Sequence, residues 1–391
     1  MYTDESLIAF CQRALQTPSF SGRERQMAEL MKEKMLELGF DEVVFDRLGN
    51  VIGTIRGKRP GKTILMDGHI DTVDVIDETQ WTHGPFSGEI ADGKIYGRGA
   101  SDMKGSDCAM VMAAGRFAAQ TKKDFAGTIC VSGTVHEECF EGVAPREVTK
   151  RVKPDFVIVG EATSTSVKIG QRGRAEVVVE TEGVSCHSSN PEKGVNAVYG
   201  MMAVIEEIRR IVPNEHPLLG KGILELTDIV SAPYPGASVV PASCRATFDR
   251  RTLVGEDERV ILGQVNEAIA RAKEKHPEIK ARCDLATGTE ACWTGDTISA
   301  KRYFPAWVVD ESSELVIKAR RGLEKAGIDA PLSHFSFCTN GSHFCGEAGI
   351  ATIGYGPSLE SLAHVRDEYI EIAQLTKACR GFASILAELT R

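Results

Sequence analysis

The sequence predicts an α/β protein in which a smaller α+β unit interrupts a larger domain. Three observations predict it: strand and helix signals alternate as far as residue 173, a β-α-β-β-α-β succession fills 174–296, and alternation returns from 297 to the end. At 391 residues, with 42% apolar and 26% charged positions, the chain is long enough for more than one core and has ordinary globular composition. The expected domains are therefore 1–173 and 297–391, forming one body, with 174–296 inserted.

Residues 5–38 carry apolar side chains at helical spacing, broken by the turn-like TPSFSG of 17–22 and ended by Gly39, so two helices open the chain. Short β-rich runs follow: VIGTI at 51–55, TILMDGHI at 63–70, GTICVSGTV at 127–135 and DFVIVGE at 155–161, with a helical stretch over 105–119 among them. From Arg174 the order becomes strand (RAEVVVETEGVS), helix (196–212), strand (GILELTDIV), strand (SCRATFDRR), helix (256–275) and strand (ARCDLAT), the ferredoxin-like succession. A helix over 312–326, a strand ATIGY at 351–355 and a last helix from Tyr369 complete the larger domain.

Composition excludes several classes. Lys and Arg number 46 against 55 Asp and Glu, a formal charge of −9, so no general field attracts polyanions and nucleic acid is not an expected partner. No stretch approaches the roughly 18 apolar residues of a spanning helix. The opening MYTDESLIAFCQ lacks the basic-then-apolar layout of a secretory signal, so the expectation is a cytoplasmic chain with no membrane partner. Eleven cysteines, an odd number without a C-x-x-C pair, predict reduced thiols and neither a disulfide framework nor a cysteine zinc site. RGKRPGKT at 56–63 falls one residue short of a P-loop between Gly57 and Gly61, and reads as a solvated turn. GRGAS at 97–101 has Asp102 where a dinucleotide fingerprint needs its third glycine, and the G-x-S-x-G elbow of serine hydrolases is absent.

The residues that carry chemistry stand at strand ends. His69 and Asp71, at i and i+2 in TILMDGHIDTV, leave one face of the strand, so one can bind a metal while the other orients it. Asp102 lies in GRGASDMKGSD, where glycines flank a carboxylate at the mouth of a helix; the plain alternative is a helix cap. Glu137 and Glu138, in TVHEECFEG directly after a strand, point opposite ways, so one can face a metal and its neighbour a metal-bound water. Glu161 ends the apolar run DFVIVGEAT, and strand-terminal carboxylates of an open α/β sheet collect at the edge where ligands bind. His364, in SLAHVRDEYIEI, completes a set of two histidines and three carboxylates, a donor mix that suits zinc, with cobalt or manganese as alternatives.

MDGHIDTV, GRGASDMKG, the HEE pair, GEAT and AHVRDEYI, in this order and spacing over nearly the whole chain, resemble the co-catalytic zinc amidohydrolases and exopeptidases. That family includes aminoacylase, acetylornithine deacetylase, succinyl-diaminopimelate desuccinylase and glutamate carboxypeptidase. CTNGSHFCGEAGIATIGYGPSLESLAH resembles its YgeY-type hydrolases. The resemblance implies a mixed-sheet, zinc-peptidase-like catalytic domain whose inserted ferredoxin-like unit is a lid and dimerisation domain. It implies two divalent ions, with His69 and His364 on separate metals, Asp102 bridging, Glu138 beside His69 and Glu161 beside His364. It further implies Asp71 orienting His69, Glu137 as general base, and a cis peptide after Asp102.

In the lid, GVSCHSSNPEKGVNAV puts His187 in the place of a histidine that reaches the partner subunit's active site and stabilises the oxyanion. In VVPASCRATFDRRT, Arg251 falls where a basic residue binds the substrate carboxylate, and Ser238 where the family usually has asparagine. His136 stands where an aspartate commonly precedes the glutamate pair, and His343 in TNGSHFC, the rival of His364 as last ligand, is expected to line the pocket. The implied function is hydrolysis of the amide of an N-acyl amino acid, or of a small peptide with a free carboxylate, by a homodimer. A dipeptidase or aminopeptidase on the same site, and a catalytically silent metal-binding protein, are the alternatives.

Overall fold

A computed structural model describes residues 3–391. They form two compact units, one of residues up to Gln171 with Thr289–Ser299 and Trp307–Arg391, the other of Arg172–Gly288 and Ala300–Ala306. The sequence has a single return to the larger unit, at 297; the chain instead returns at Thr289, leaves for Ala300–Ala306 and re-enters at Trp307. The cause is a hairpin of Thr287–Ala291 with Thr297–Lys301. Its tip is held in the larger unit by Asp296, 3.0 Å from Arg47 Nη1, and by Trp293, edge-on to Phe45.

The larger unit is built on a nine-stranded mixed sheet. Its order is Glu42–Phe45, Val51–Arg56, Ala126–Thr134, Arg59–His69, Phe156–Val159, Ala351–Gly354, Val167–Gln171 and Trp307–Val308, with Leu332–Phe335 also pairing Val167–Gln171. Arg59–His69, in the middle, runs parallel to both neighbours. A parallel strand so placed has helices over both faces, which is why Ile64, Leu65 and Met66 are all fully buried and the run reads as continuously apolar. One face carries helix Lys104–Thr121, itself packed under Asp4–Leu15 and Ile372–Leu389 and buried almost all round. On the other, Val148 of helix Pro145–Val152 and Phe344 of a short π-helix, Ser342–Glu347, close over Ile52, Leu65, Val157 and Val159.

The second unit has the strand order Ile223–Ala232, Ser243–Thr252, Gly173–Glu182, Lys280–Leu285, antiparallel throughout, which is the ferredoxin-like arrangement. Cys244, Ala246 and Phe248 alternate inward against Ile261 and Val265 of helix Glu258–Lys275 and Met201 and Val204 of helix Ala197–Ile208. The α/β class with an inserted ferredoxin-like unit is thus the observed architecture.

One expectation needs correction, and one strand was not expected. Tyr369 does not begin the last helix: Tyr369–Glu371 pairs antiparallel with Lys94–Tyr96, and the helix starts at Ile372. Glu42–Phe45, too short for its alternation to register, forms the sheet's edge. All eleven cysteines are free thiols, seven of them buried. Among the described residues no helix is long and apolar enough to cross a membrane.

Candidate metal centre

Three parallel strands deliver the site at their carboxyl ends. Arg59–His69 ends on His69, Ala126–Thr134 leads three residues on to Glu137, and Phe156–Val159 leads to Glu161. The His69 ring is buried, and its Nδ1 lies 2.9 Å from the backbone carbonyl of Asp71. A carbonyl only accepts, so Nδ1 carries hydrogen and the metal-binding lone pair resides on Nε2. That nitrogen faces Asp102 Oδ1 at 2.9 Å and Glu161 Oε1 at 3.4 Å. The other Asp102 oxygen, Oδ2, lies 3.1 Å from His364 Nε2, which also meets Glu138 at 3.0 and 3.2 Å. Asp102 therefore spans two imidazoles, and its peptide bond to Met103 is cis.

The glutamates are exchanged relative to the expected arrangement: direct contact pairs Glu161 with His69 and Glu138 with His364. Ladder register explains it. Asp67 is opposite Val159 in the last pair of a parallel ladder, and His69 and Glu161 each follow by two residues, which brings both to the same end of the sheet.

Asp71 also acts differently from a simple imidazole partner. Its carboxylate is 3.6 Å from His69 Nδ1, while its oxygens accept the backbone N–H of Glu137 (3.0 Å), that of Glu138 (3.2 Å) and the Ser21 hydroxyl (2.7 Å). The backbone carbonyl orients the histidine and the side chain holds the glutamate loop. Burial would raise the Asp71 pKa, but hydrogen bonding and the charge of His69 hold it below the ordinary carboxylate value.

Glu368 is the residue that sequence reasoning missed. Fully buried, it accepts from Arg98 Nη1 (2.7 Å) and from the backbone N–H groups of Gly99 (3.0 Å), Ser101 (2.8 Å) and Asp102 (3.0 Å), and so shapes the loop that presents Asp102. Its signal was present in the second acid of DEYI, which follows His364 by four residues.

Electrostatics show what the cluster lacks. Burial pushes Glu138 up to about 7, reinforced by the Asp102 charge, and raises Glu161 and Glu137 as well. His364 is pushed up to about 10 by its hydrogen bonds to Asp102 and Glu138. Glu137 Oε1 and Glu161 Oε2 are buried without a hydrogen-bond partner. Four carboxylates in so little solvent need positive charge, and the histidines supply it only by taking protons. Divalent cations fit the same space: ligand atoms of His69, Glu137 and Glu161, and of His69, Asp102 and Glu138, lie within 4.8 Å of one another. Mixed nitrogen and oxygen donors suit zinc, cobalt or manganese.

His343 is not part of this cluster. Its Nδ1 meets Glu347 at 2.8 Å and its Nε2 meets Thr149 at 3.0 Å, so neither ring nitrogen is left for a substrate, and the expected pocket role is corrected on that ground. His187, Ser238 and Arg251 belong to the second unit. His187 and Val239 form a β-bridge, Ser188 N–H donates to the Ser238 carbonyl at 2.8 Å, and both predicted residues are exposed. Arg251 donates to Asp249 at 2.7 Å, beside Arg174 at 3.0 Å from the same carboxylate.

Mixed sheet, inserted ferredoxin-like unit and acid-imidazole cluster together define a metallohydrolase. The chain belongs to peptidase family M20/M25/M40, whose model matches residues 65–388. It is similar to the protein YgeY of Escherichia coli K12, 33% identical over 386 residues covering 97% of this chain and 93% of the other. It is 32% identical over 261 residues to a succinyl-diaminopimelate desuccinylase of Cereibacter sphaeroides, covering 62% of this chain and 67% of that enzyme. The crystal structure of Bacillus subtilis YXEP, a dinuclear metal-binding peptidase of the M20 family, superposes with a TM-score of 0.73 at 12% identity over 99% of both chains.

Proposed function

We propose that this hydrolase cleaves the amide bond of an N-acyl amino acid, or of a small peptide with a free carboxylate, using two divalent ions, most simply zinc. His69, Asp102 and Glu161 would hold one ion, and Asp102, Glu138 and His364 the other. The observation that carries the reading is the Asp102 carboxylate shared between His69 Nε2 and His364 Nε2, with Glu137, whose Oε1 is buried without a partner, close to His69 and Glu161. Ions bound there supply Lewis acidity that acidifies water and polarises a carbonyl.

The rest is the work of side chains. Glu137 accepts the water proton on Oε1 and passes it to the leaving nitrogen. Burial raises its basicity well above that of an ordinary carboxylate, as suits a general base. Asp71 keeps the Glu137 backbone in place. Arg251 and Ser238 are assigned to the substrate's carboxylate end, and His187 to oxyanion stabilisation in the partner's site, which requires a homodimer. Exposed Tyr199 and Met202 on helix Ala197–Ile208, and exposed Ile223, Ile229 and Val230 on the edge strand Ile223–Ala232, offer the second unit as its interface. The setting we assign is the cytoplasm.

Deacylation is favoured over aminopeptidase action by the desuccinylase similarity and by a glutamate at 161. The deciding experiment is elemental analysis for metal, followed by a panel of N-acetyl and N-succinyl amino acids beside dipeptides with added zinc, cobalt or manganese. Turnover of an acylated amino acid is expected. Turnover of dipeptides alone would reassign the substrate, and none at all with both sites loaded would leave a binding protein.

A further inference from the structure

The loop that carries Glu137 and Glu138 is gripped at its middle by Asp71, but also at both ends by one carboxamide. Asn340 Nδ2 donates to Thr134 Oγ1 at 2.8 Å, at the start of the loop, and to Asp67 Oδ2 at 2.9 Å. Its Oδ1 accepts the Gly142 N–H at 2.9 Å, past the loop's far end. Both N–H bonds and the carbonyl oxygen of this buried amide are engaged, and because one end faces an N–H and the other a carboxylate, its orientation is fixed.

Asn340 is itself rigidly mounted. Thr339 Oγ1 donates to Gln171 Oε1 at 2.6 Å, and Gln171 Nε2 donates to Ser342 Oγ at 2.9 Å, tying the CTNGS segment to the end of strand Val167–Gln171. Gly341 lies flat against Trp307, where a Cβ would come within 2.5 Å of the indole Nε1. Gly142, with φ +85°, occupies the left-handed region that glycine adopts without strain. Such construction is what a site needs if a loop residue is to be held within a fraction of an ångström.

We infer that Asn340 is a positioning residue: by clamping Thr134 to Gly142 it sets where the Glu137 carboxylate and the Glu138 ligand stand relative to His69 and Asp102. This rests on the roles proposed above for Glu137 and Glu138, and it gives CTNGSHFC a function that His343 does not supply.

The test uses the full-length chain with Asn340→Ala, and with Thr134→Val, which at nearly constant shape removes one of the three bonds together with the Thr134 hydroxyl's own bond to the Gly68 carbonyl at 3.0 Å. Amide hydrogen exchange of the metal-free protein is read first. Exchange across residues 134–142 should rise about tenfold in Asn340→Ala and less in Thr134→Val, with other segments unchanged. Zinc affinity should fall by about 10- to 100-fold, as for other residues that orient ligands. On a substrate the parent hydrolyses, kcat should fall by a similar factor with KM within about threefold. Unchanged exchange in 134–142, or protection lost evenly along the chain in both variants, would overturn the proposal. A Glu137→Gln chain that keeps its turnover would instead defeat the general-base reading, and the exchange and zinc measurements would still decide Asn340.

Discussion

Glu137 and Glu138 are neighbours in sequence with opposite assignments, and the difference lies in what each carboxylate meets. Glu138 touches His364, whereas Glu137 Oε1 meets no donor and is free to take a proton. Glu137→Gln should therefore keep full metal content by elemental analysis while kcat falls by about 10²- to 10⁴-fold; loss of metal along with activity would make Glu137 a ligand. Glu368 supports the other side of the site. Glu368→Ala leaves Arg98 buried without its partner and three backbone N–H groups without an acceptor, so we expect a loss of about 3–5 kcal/mol in urea denaturation. Glu368→Gln, which keeps the shape, should lose less, and equal stability of all three proteins would remove Glu368 from its structural role. Strand-terminal acids and histidines made the residues of the cluster readable from sequence. The pairing of Glu161 with His69 was not readable, because it follows from the ladder register of Asp67 with Val159, and register is a property of folded neighbours. Glu368 was hidden for a related reason: an acid ahead of a predicted helix looks like a first-turn charge until the Gly99–Asp102 loop is seen to wrap it.

At the scale of elements, apolar runs bounded by turns identified the central strands well, since parallel strands are buried on both faces. The edge elements escaped: Glu42–Phe45 and Tyr369–Glu371 are three or four residues long, and pairing partners rather than periodicity make them strands. The π-helix Ser342–Glu347 escaped too, since six residues are too few for a period to show. This element is fastened to helix Pro145–Val152 through Glu347, which meets His343 at 2.8 Å and Arg146 Nε at 3.0 Å. Burial would raise the Glu347 pKa, but the His343 and Arg146 hydrogen bonds outweigh it and bring it down to about 2. A depressed carboxylate stabilises the fold above its unfolded pKa of 4.5 and loses that contribution as pH falls toward 2. Glu347→Gln should thus be less stable than the parent by about 1 kcal/mol near neutral pH, a small value because the pair is partly solvated, and the gap should close in acid. Denaturant melts of both metal-free proteins between about pH 6 and about pH 3 would show it, and a gap independent of pH would mean that Glu347 acts by packing alone.

For the whole molecule, the cluster of four carboxylates makes stability a function of metal supply. Glu137 and Glu138 follow the end of Ala126–Thr134 and Glu161 follows the end of Phe156–Val159, the two strands that flank Arg59–His69, so much of the repulsion bears on the central sheet. Ions that bind the folded cluster and not the unfolded chain stabilise by mass action, about 4 kcal/mol for one site at a thousandfold excess over Kd. Chelation should therefore lower the melting temperature by several degrees, and zinc in slight excess should restore it. The inserted unit supplies no member of the cluster, so its own unfolding should be little affected. Tryptophan emission can separate the two, because Trp293 and Trp307 both belong to the larger unit and Trp81 does as well. A fluorescence-detected transition that shifts with chelator, beside a far-ultraviolet transition with a component that does not, is the expected pattern. Fluorescence melts that coincide with and without chelator would show that the carboxylates are already neutralised by protons on His69 and His364, and that cations add nothing to the fold.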